Sequence, residues 1–367
     1  MAALLVRAAR KWPRLPAIAL GSRTLRTYAS LAERCGHLAA ALEIAGLRPG
    51  DRVAIISRND PAYIEAMFAL WWAGLIAVPV NAKLHPRELE FVLSDSGARF
   101  AFTDADWHGE ISRSGHLLPN LERVVSFGSH EYARLFVDAD VAPVAGVEPT
   151  AAAWLFYTSG TTGRPKGVVI SHGNLYAMIN CFLTDVEAIA PGDAILHGAP
   201  LSHGSGLYVL PHIARGAVNV VPESGAFDAG EILALVTSWD RALLFAAPTM
   251  VKRIIDVPTL ADSQLARLKC IVYGGGPMYV EDCKAAFAAL GPRLAQIYGQ
   301  GETPMTITAM DRLTLADAIA HNDDARIGSV GIAQSGIDVE IVDDAGHVLP
   351  PGEIGEVVVR GSTVMQG

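Results

Sequence analysis

Short apolar runs alternate with stretches of helical period through most of the 367 residues, and this alternation constrains the fold more than any other feature. Arg26-Thr27-Tyr28 opens a helical pattern that puts Tyr28, Leu31, Cys35, Leu38 and Leu42 on one face. Gly46 and Pro49-Gly50 close it, and residues 51–57 read as a strand. The order then repeats. Asp60 caps, Pro61 starts, Tyr63, Met67, Leu70 and Trp71 bury, Gly74 stops, and residues 75–80 form a strand. A third unit runs from a helix at 86–94 into a strand at 99–103. Strands joined through helices lie parallel and are covered on both faces, so the expected class is α/β with mainly parallel sheets. Residues 104–150 carry little pattern beyond a strand-like run at 123–127.

Residues 157–168, Tyr-Thr-Ser-Gly-Thr-Thr-Gly-Arg-Pro-Lys-Gly-Val, interrupt this pattern with four aliphatic hydroxyls, three glycines and two cations in twelve positions. Apolar runs at 151–156 and 167–170 flank the segment, which predicts a loop between two strands. Gly160 and Gly163 let backbone come close to a ligand and adopt positive φ. Thr158, Ser159, Thr161 and Thr162 can donate to phosphate oxygens, and Lys166 adds a point charge. The spacing is not Walker A, because Arg164-Pro165 separates Gly163 from Lys166.

The segment resembles the phosphate-binding signature of the adenylate-forming superfamily, which holds acyl-CoA synthetases, firefly-type luciferases and the adenylation domains of peptide synthetases. Three further stretches are similar. Ala199-Pro200-Leu201-Ser202-His203-Gly204-Ser205-Gly206-Leu207 resembles the family's Pro-x-x-His-x-x-Gly beside the acyl pocket, which implies that His203 stands at that pocket's mouth. Gly204, Ser205 and Gly206 leave room for a substrate or for a closely packed helix. Gly274-Gly275-Gly276-Pro277 follows a core strand at 269–273, and in the family the corresponding loop lines adenine. Tyr298-Gly299-Gln300-Gly301-Glu302-Thr303 resembles Tyr-Gly-x-Thr-Glu, so Tyr298 and Gly299 are expected beside adenine, Gln300 in the same loop, and Glu302 on the Mg2+ that accompanies ATP. Gly301 departs from the pattern, since most relatives carry Thr or Ser there; Thr303 is the nearest hydroxyl that can replace it.

The resemblance implies two covered, mainly parallel sheets in αβαβα layers plus a small antiparallel, β-barrel-like region. The expected subdomains are 59–190, then 15–58 with 191–315, then a β-rich 316–367. It implies ATP-dependent activation of a carboxylic acid as the acyl adenylate and transfer to coenzyme A, with Lys166, Glu302 and His203 in the leading roles. No Asp stands in 199–210 to pair with a substrate amine, so an amino acid substrate is disfavoured. Alternatives left open are the loading of a carrier protein and a non-catalytic nucleotide-binding module. Relatives continue with a Thr-Gly-Asp, a hinge and a small C-terminal domain whose Lys promotes adenylation. None of these occurs within the 367 residues, so an N-terminal core without its lid is expected, with full activity requiring that domain.

Hydrophobic residues make up 51% of the chain, which raises the question of a membrane. The longest apolar stretch, 66–80, is broken by Gly74 and Pro79, whereas a bilayer takes about 20 apolar residues. Residues 1–12 carry Leu4, Leu5, Arg7, Arg10 and Lys11 without a cleavage site, so a surface helix is expected there rather than a secretory signal. A net charge of −9 without a Lys/Arg block disfavours nucleic acid as a partner. Cys35, Cys181, Cys270 and Cys283 stand apart, which predicts reduced thiols in a cytoplasmic protein.

Overall fold

The carboxyl ends of two sheets converge in this chain, whose computed structural model describes residues 1–113, 118–137, 140–159, 165–258 and 261–367. The six-stranded sheet has the order Arg123–Ser126, Phe100–Thr103, Arg52–Ile56, Ile76–Val80, Ala152–Ser159, Pro165–Ser171. The nine-stranded sheet has the order Ile332–Ala333, Thr308–Met310, Leu294–Tyr298, Leu268–Tyr273, Ala242–Ala246, Ala194–Leu196, Val218–Val221, Pro16–Leu20, Arg23–Thr27. Central pairs are parallel in both, and antiparallel pairs occur only toward the edges. The helical connections read from sequence produce that arrangement.

Alternation along each strand divides the side chains among three cores. Val53 and Ile55 face inward with Leu243, Cys270 and Val272 of the other sheet, and between them pack helices Ala2–Lys11, Tyr28–Ile44, Pro61–Trp72 and Gly204–Arg215. Ala54 and Ile56 face outward against helices Pro86–Ser96 and Ala105–Arg113. Leu244, Ile271 and Tyr273 face outward against helices Ala229–Ser238 and Val280–Leu290. The order of layers is therefore helix, sheet, helix, sheet, helix, as expected.

Local signals behave as their chemistry requires. Thr27 and Ser30 form a reciprocal cap on Tyr28–Ile44, and Asp60 accepts from the Ala62 N–H ahead of Pro61. Other expectations need adjusting. Sheet membership puts Arg52–Ile56 with the 76–171 strands, not with 191–315, and Ile332–Ala333 joins the nine-stranded sheet. The final antiparallel region is a two-stranded ribbon, Ile337–Val342 with Glu356–Gly361, and two strands cannot close a barrel. The N-terminal helix is embedded along one side, with Leu4, Leu5 and Ala8 buried. Among the described residues no helix is long and apolar enough to cross a membrane.

Glu65 ties this framework together. It lies buried on Pro61–Trp72 and accepts from Arg26 Nε at 2.6 Å, Arg34 Nε at 2.8 Å and the Tyr132 hydroxyl at 3.3 Å. Glu65→Gln keeps the shape and removes the charge that both guanidiniums face. Both arginines are partly exposed, so the expected loss is about 2 kcal/mol of unfolding free energy, that of a hydrogen bond to a charged group and less than for breaking a fully buried pair. A urea titration showing no loss would contradict this role.

Candidate active site

The described ends of the stretch expected to hold phosphate lie on two paired strands, a hairpin at the edge of the six-stranded sheet. Ala152–Ser159 and Pro165–Ser171 pair antiparallel, with Thr158 opposite Lys166. Trp154, Val168 and Ile170 are buried and root the hairpin, while Lys166 near its tip is exposed and has no ion-pair partner among the described residues. The Tyr157 hydroxyl donates to Asp95 at 2.7 Å, fixing the outer face to helix Pro86–Ser96. Gly160, Thr161, Thr162 and Gly163 lie outside the described residues, as does the side chain of Ser159.

Three loops leave the carboxyl ends of strands in the nine-stranded sheet, and the first and third touch this hairpin. The first leaves Ala194–Leu196 and enters helix Gly204–Arg215 through His203. The His203 ring meets Phe156 edge to face with centroids 5.5 Å apart, and its Nδ1 lies 3.0 Å from Ser202 Oγ. Burial pulls the imidazole below its ordinary range, so it is neutral at pH 7. A Cβ on Gly204 would stand 2.6 Å from the Phe245 ring, which brings the helix entrance against the end of Ala242–Ala246. Packing accounts for the two residues that follow. Ser205 Oγ bonds His197 Nδ1 at 2.8 Å, and a Cβ on Gly206 would lie 1.9 Å from the Leu201 carbonyl oxygen.

The second loop is a shelf of backbone. Gly275, Gly276 and Pro277 are exposed, Gly275 has φ 75°, and a Cβ on Gly276 would find nothing nearer than Pro248 at 3.7 Å. Gly274 is different, being buried with its Cβ position 2.6 Å from the Ile297 carbonyl oxygen. The third loop follows Leu294–Tyr298. A Cβ on Gly299 would lie 2.8 Å from the Met305 backbone, and Gln300 Nε2 donates to the Tyr298 hydroxyl at 3.2 Å. Glu302 is half-buried, with its carbonyl accepting from the Met365 N–H at 2.8 Å. The Thr303 hydroxyl is enclosed and has no partner among the described residues.

Gly301 joins the two sheets. A Cβ there would lie 2.4 Å from Thr158 Cγ2 and 2.9 Å from Phe156 Cδ1, so the hairpin occupies the space that a Thr or Ser side chain would need. The hairpin, His203, the glycine shelf and the Tyr298–Thr303 loop thus lie together at the carboxyl ends of the strands, the shelf meeting Phe245 through Gly275 and Ile297 through Gly274, and they border the candidate crevice. The strand order reverses at this edge: from Ala194–Leu196 the chain adds Val218–Val221 on one side, then crosses to add Ala242–Ala246 on the other. Loops at such a reversal splay apart beyond the strand ends and leave room for a ligand.

Residues 5–367 match the family described as AMP-binding enzyme. The chain belongs to that family. Feruloyl-CoA synthase of an Amycolatopsis species is 35% identical over 99% of this chain and 70% of its own length. Fatty acid--[acyl-carrier-protein] ligase ScoC of Streptomyces coeruleorubidus is 31% identical over 94% of this chain and 66% of its own. Among solved structures, the N-terminal domain of FACL13 from Mycobacterium tuberculosis matches all of this chain and 89% of its own, with TM-score 0.88 and 25% identity. ATP-bound MatB from Rhodopseudomonas palustris does so with TM-score 0.87 and 25% identity, over 100% of this chain and 71% of its own. This AMP-binding enzyme therefore has the fold of adenylate-forming N-terminal domains and is related to acyl-CoA ligases.

Two residues at the crevice escaped the sequence reading. Phe245 looked like any apolar strand residue, and Asn59 like a turn residue ahead of the Asp60 cap. The signal for Asn59 was its place just past the carboxyl end of a parallel strand. The packing of Gly301 makes its own prediction. Gly301→Thr overpacks the junction and should cost about 1 to 3 kcal/mol, whereas combining it with Thr158→Ser, which removes the colliding methyl, should recover more than half. Additive losses in thermal unfolding of the single and double variants would contradict the contact.

Proposed function

We propose that this AMP-binding enzyme activates a carboxylic acid with ATP and passes the acyl group to coenzyme A, as an AMP-forming acid-thiol ligase of acyl or aryl acids. The observation that carries this reading is the contact of the hairpin that bears Lys166 with a half-buried, neutral His203 and with the loop that bears Glu302, beside an open glycine shelf at the same edge of the strands. The residues fit the nucleotide. The exposed backbone of Gly275 and Gly276 gives a flat ring a surface free of side chains beside Pro277, and Gly274, Tyr298 and Gly299 are assigned to the same ring. Thr158 and Lys166 stand on the hairpin, as do Ser159, Thr161 and Thr162 in sequence, and these are assigned to the phosphates. Glu302 is assigned to Mg2+, which takes one or two carboxylates and completes its shell with phosphate oxygens and water.

In this reading a carboxylate oxygen of the acid attacks the α-phosphorus, pyrophosphate leaves, and the thiol of coenzyme A then displaces AMP to give the thioester. The chain contributes positioning and charge. Lys166 and the hydroxyls hold the departing phosphates, Gln300 and Thr303 shape the loop that carries Glu302, and His203 borders the acid. A neutral imidazole next to Phe156 offers the acid an apolar edge without a competing charge. Four free, buried cysteines fit a reducing, cytoplasmic setting. Similarity to an acyl-carrier-protein ligase supports a second acceptor, so activated acid should be offered both coenzyme A and a thiol-bearing carrier protein.

The roles separate in binding measurements, with ferulate as the probe acid because a feruloyl-CoA synthase is 35% identical. Glu302→Gln should weaken ATP in Mg2+ but hardly in EDTA, since only the metal needs the charge. His203→Ala should weaken ferulate and leave Mg-ATP unchanged. Equal loss of ATP with and without Mg2+ would remove Glu302 from the metal, and a matching loss of Mg-ATP in His203→Ala would move His203 off the acid.

A further inference from the structure

We propose that Asn59 is a positioning residue of the acid site, whose carboxamide holds the loop that presents His203. The consequence for the acid rests on the reading just given; the geometry does not. Asn59 lies just beyond Arg52–Ile56 of the six-stranded sheet, and its partners lie in the loop that leaves Ala194–Leu196 of the nine-stranded sheet. Nδ2 donates to the carbonyls of His197 and Ala199, each at 2.8 Å, and Oδ1 accepts from the Leu201 N–H at 2.8 Å. The Asn59 N–H donates to the Gly225 carbonyl at 3.2 Å, so the backbone too is tied across the sheets. The residue is only 8% exposed, which keeps water from competing for these bonds.

One planar amide therefore serves alternate residues 197, 199 and 201 much as a neighbouring strand would, at a place where the loop has left its own sheet. No other side chain of this size supplies two donors and an acceptor from one end. What is held is transmitted to His203. Its N–H donates to the Pro200 carbonyl at 3.1 Å, and the Leu201 carbonyl sits so close to Gly206 that the loop cannot shift without moving the start of helix Gly204–Arg215. Released from Asn59, the two carbonyls and the N–H are left buried without partners, and the loop is expected to seek water and carry the His203 ring away from Phe156.

The neutral variants Asn59→Ala and Asn59→Ser test this without adding charge. With histidine rings labelled at Cε1, the His203 signal is identified by its loss in His203→Ala, and in the parent it is displaced by the Phe156 ring. It should move toward the position of exposed histidines in both variants. Leu38→Ala, a cavity in the distant helix Tyr28–Ile44, lowers stability in the same way and should leave the signal in place. Ferulate affinity should fall about tenfold, the equivalent of one lost hydrogen bond, with Mg-ATP affinity unchanged. An unmoved His203 signal in folded variants would overturn the proposal, as would variants that fail to fold at all, which would make Asn59 a folding residue. A moved signal with unchanged ferulate affinity would overturn the link to the acid. A parent that binds no ferulate would count against the acid reading itself, and the His203 signal would still decide whether Asn59 positions the loop.

Discussion

The carboxyl ends of the two sheets approach so closely at Gly301 that no side chain fits there, and the loops of the nine-stranded sheet pack as tightly among themselves. Gly301 lies against Thr158 and Phe156, Gly204 against Phe245, Gly274 against the Ile297 carbonyl and Gly206 against the Leu201 carbonyl. At each of these a Cβ would fall within 3.0 Å of another atom. Close packing transmits displacement, because a dense interior has no slack to absorb it. The hairpin, the helix entrance and the shelf consequently form one rigid surround, although they come from sheets with separate outer cores. Gly275 and Gly276, by contrast, are exposed with no atom nearer than 3.7 Å to their Cβ positions, and they are among the glycines assigned to the nucleotide.

Charge is arranged with the same economy. The chain carries −9 overall, so an anionic nucleotide needs a local site of opposite sign. Arg26 and Arg34 are taken up by Glu65 and Arg312 by Glu187, whereas Lys166 is exposed near the end of its strand. The histidines nearby add no charge. Burial pulls His197 down to about 4 and lowers His203 as well, so these rings are neutral at pH 7 beside the hairpin that carries the Lys166 charge.

Much of this was legible in the sequence, for definite reasons. Tyr28–Ile44, Pro61–Trp72 and Pro86–Ser96 announce themselves through caps, terminal glycines and apolar period, and the strands after them through short apolar runs. The phosphate hairpin stood out by composition. Sheet membership was not legible, because it depends on pairing between distant segments: Arg52–Ile56 reads the same whichever sheet receives it. The strands Pro16–Leu20 and Arg23–Thr27 and the short helix His130–Arg134 are too brief to show a period. Asn59 and Gly301 derive their roles from neighbours more than a hundred residues away in sequence, and local pattern holds no trace of that.

The central claim is that the cation of one sheet and the glycine shelf of the other serve a single nucleotide. Calorimetric titration of Lys166→Ala with Mg-ATP and with adenosine tests it, because the two ligands share a ring and differ in phosphate. Loss of a charge-assisted contact should weaken Mg-ATP by roughly 10- to 150-fold and leave adenosine unaffected. Mg-ATP affinity equal to the parent's would contradict the account.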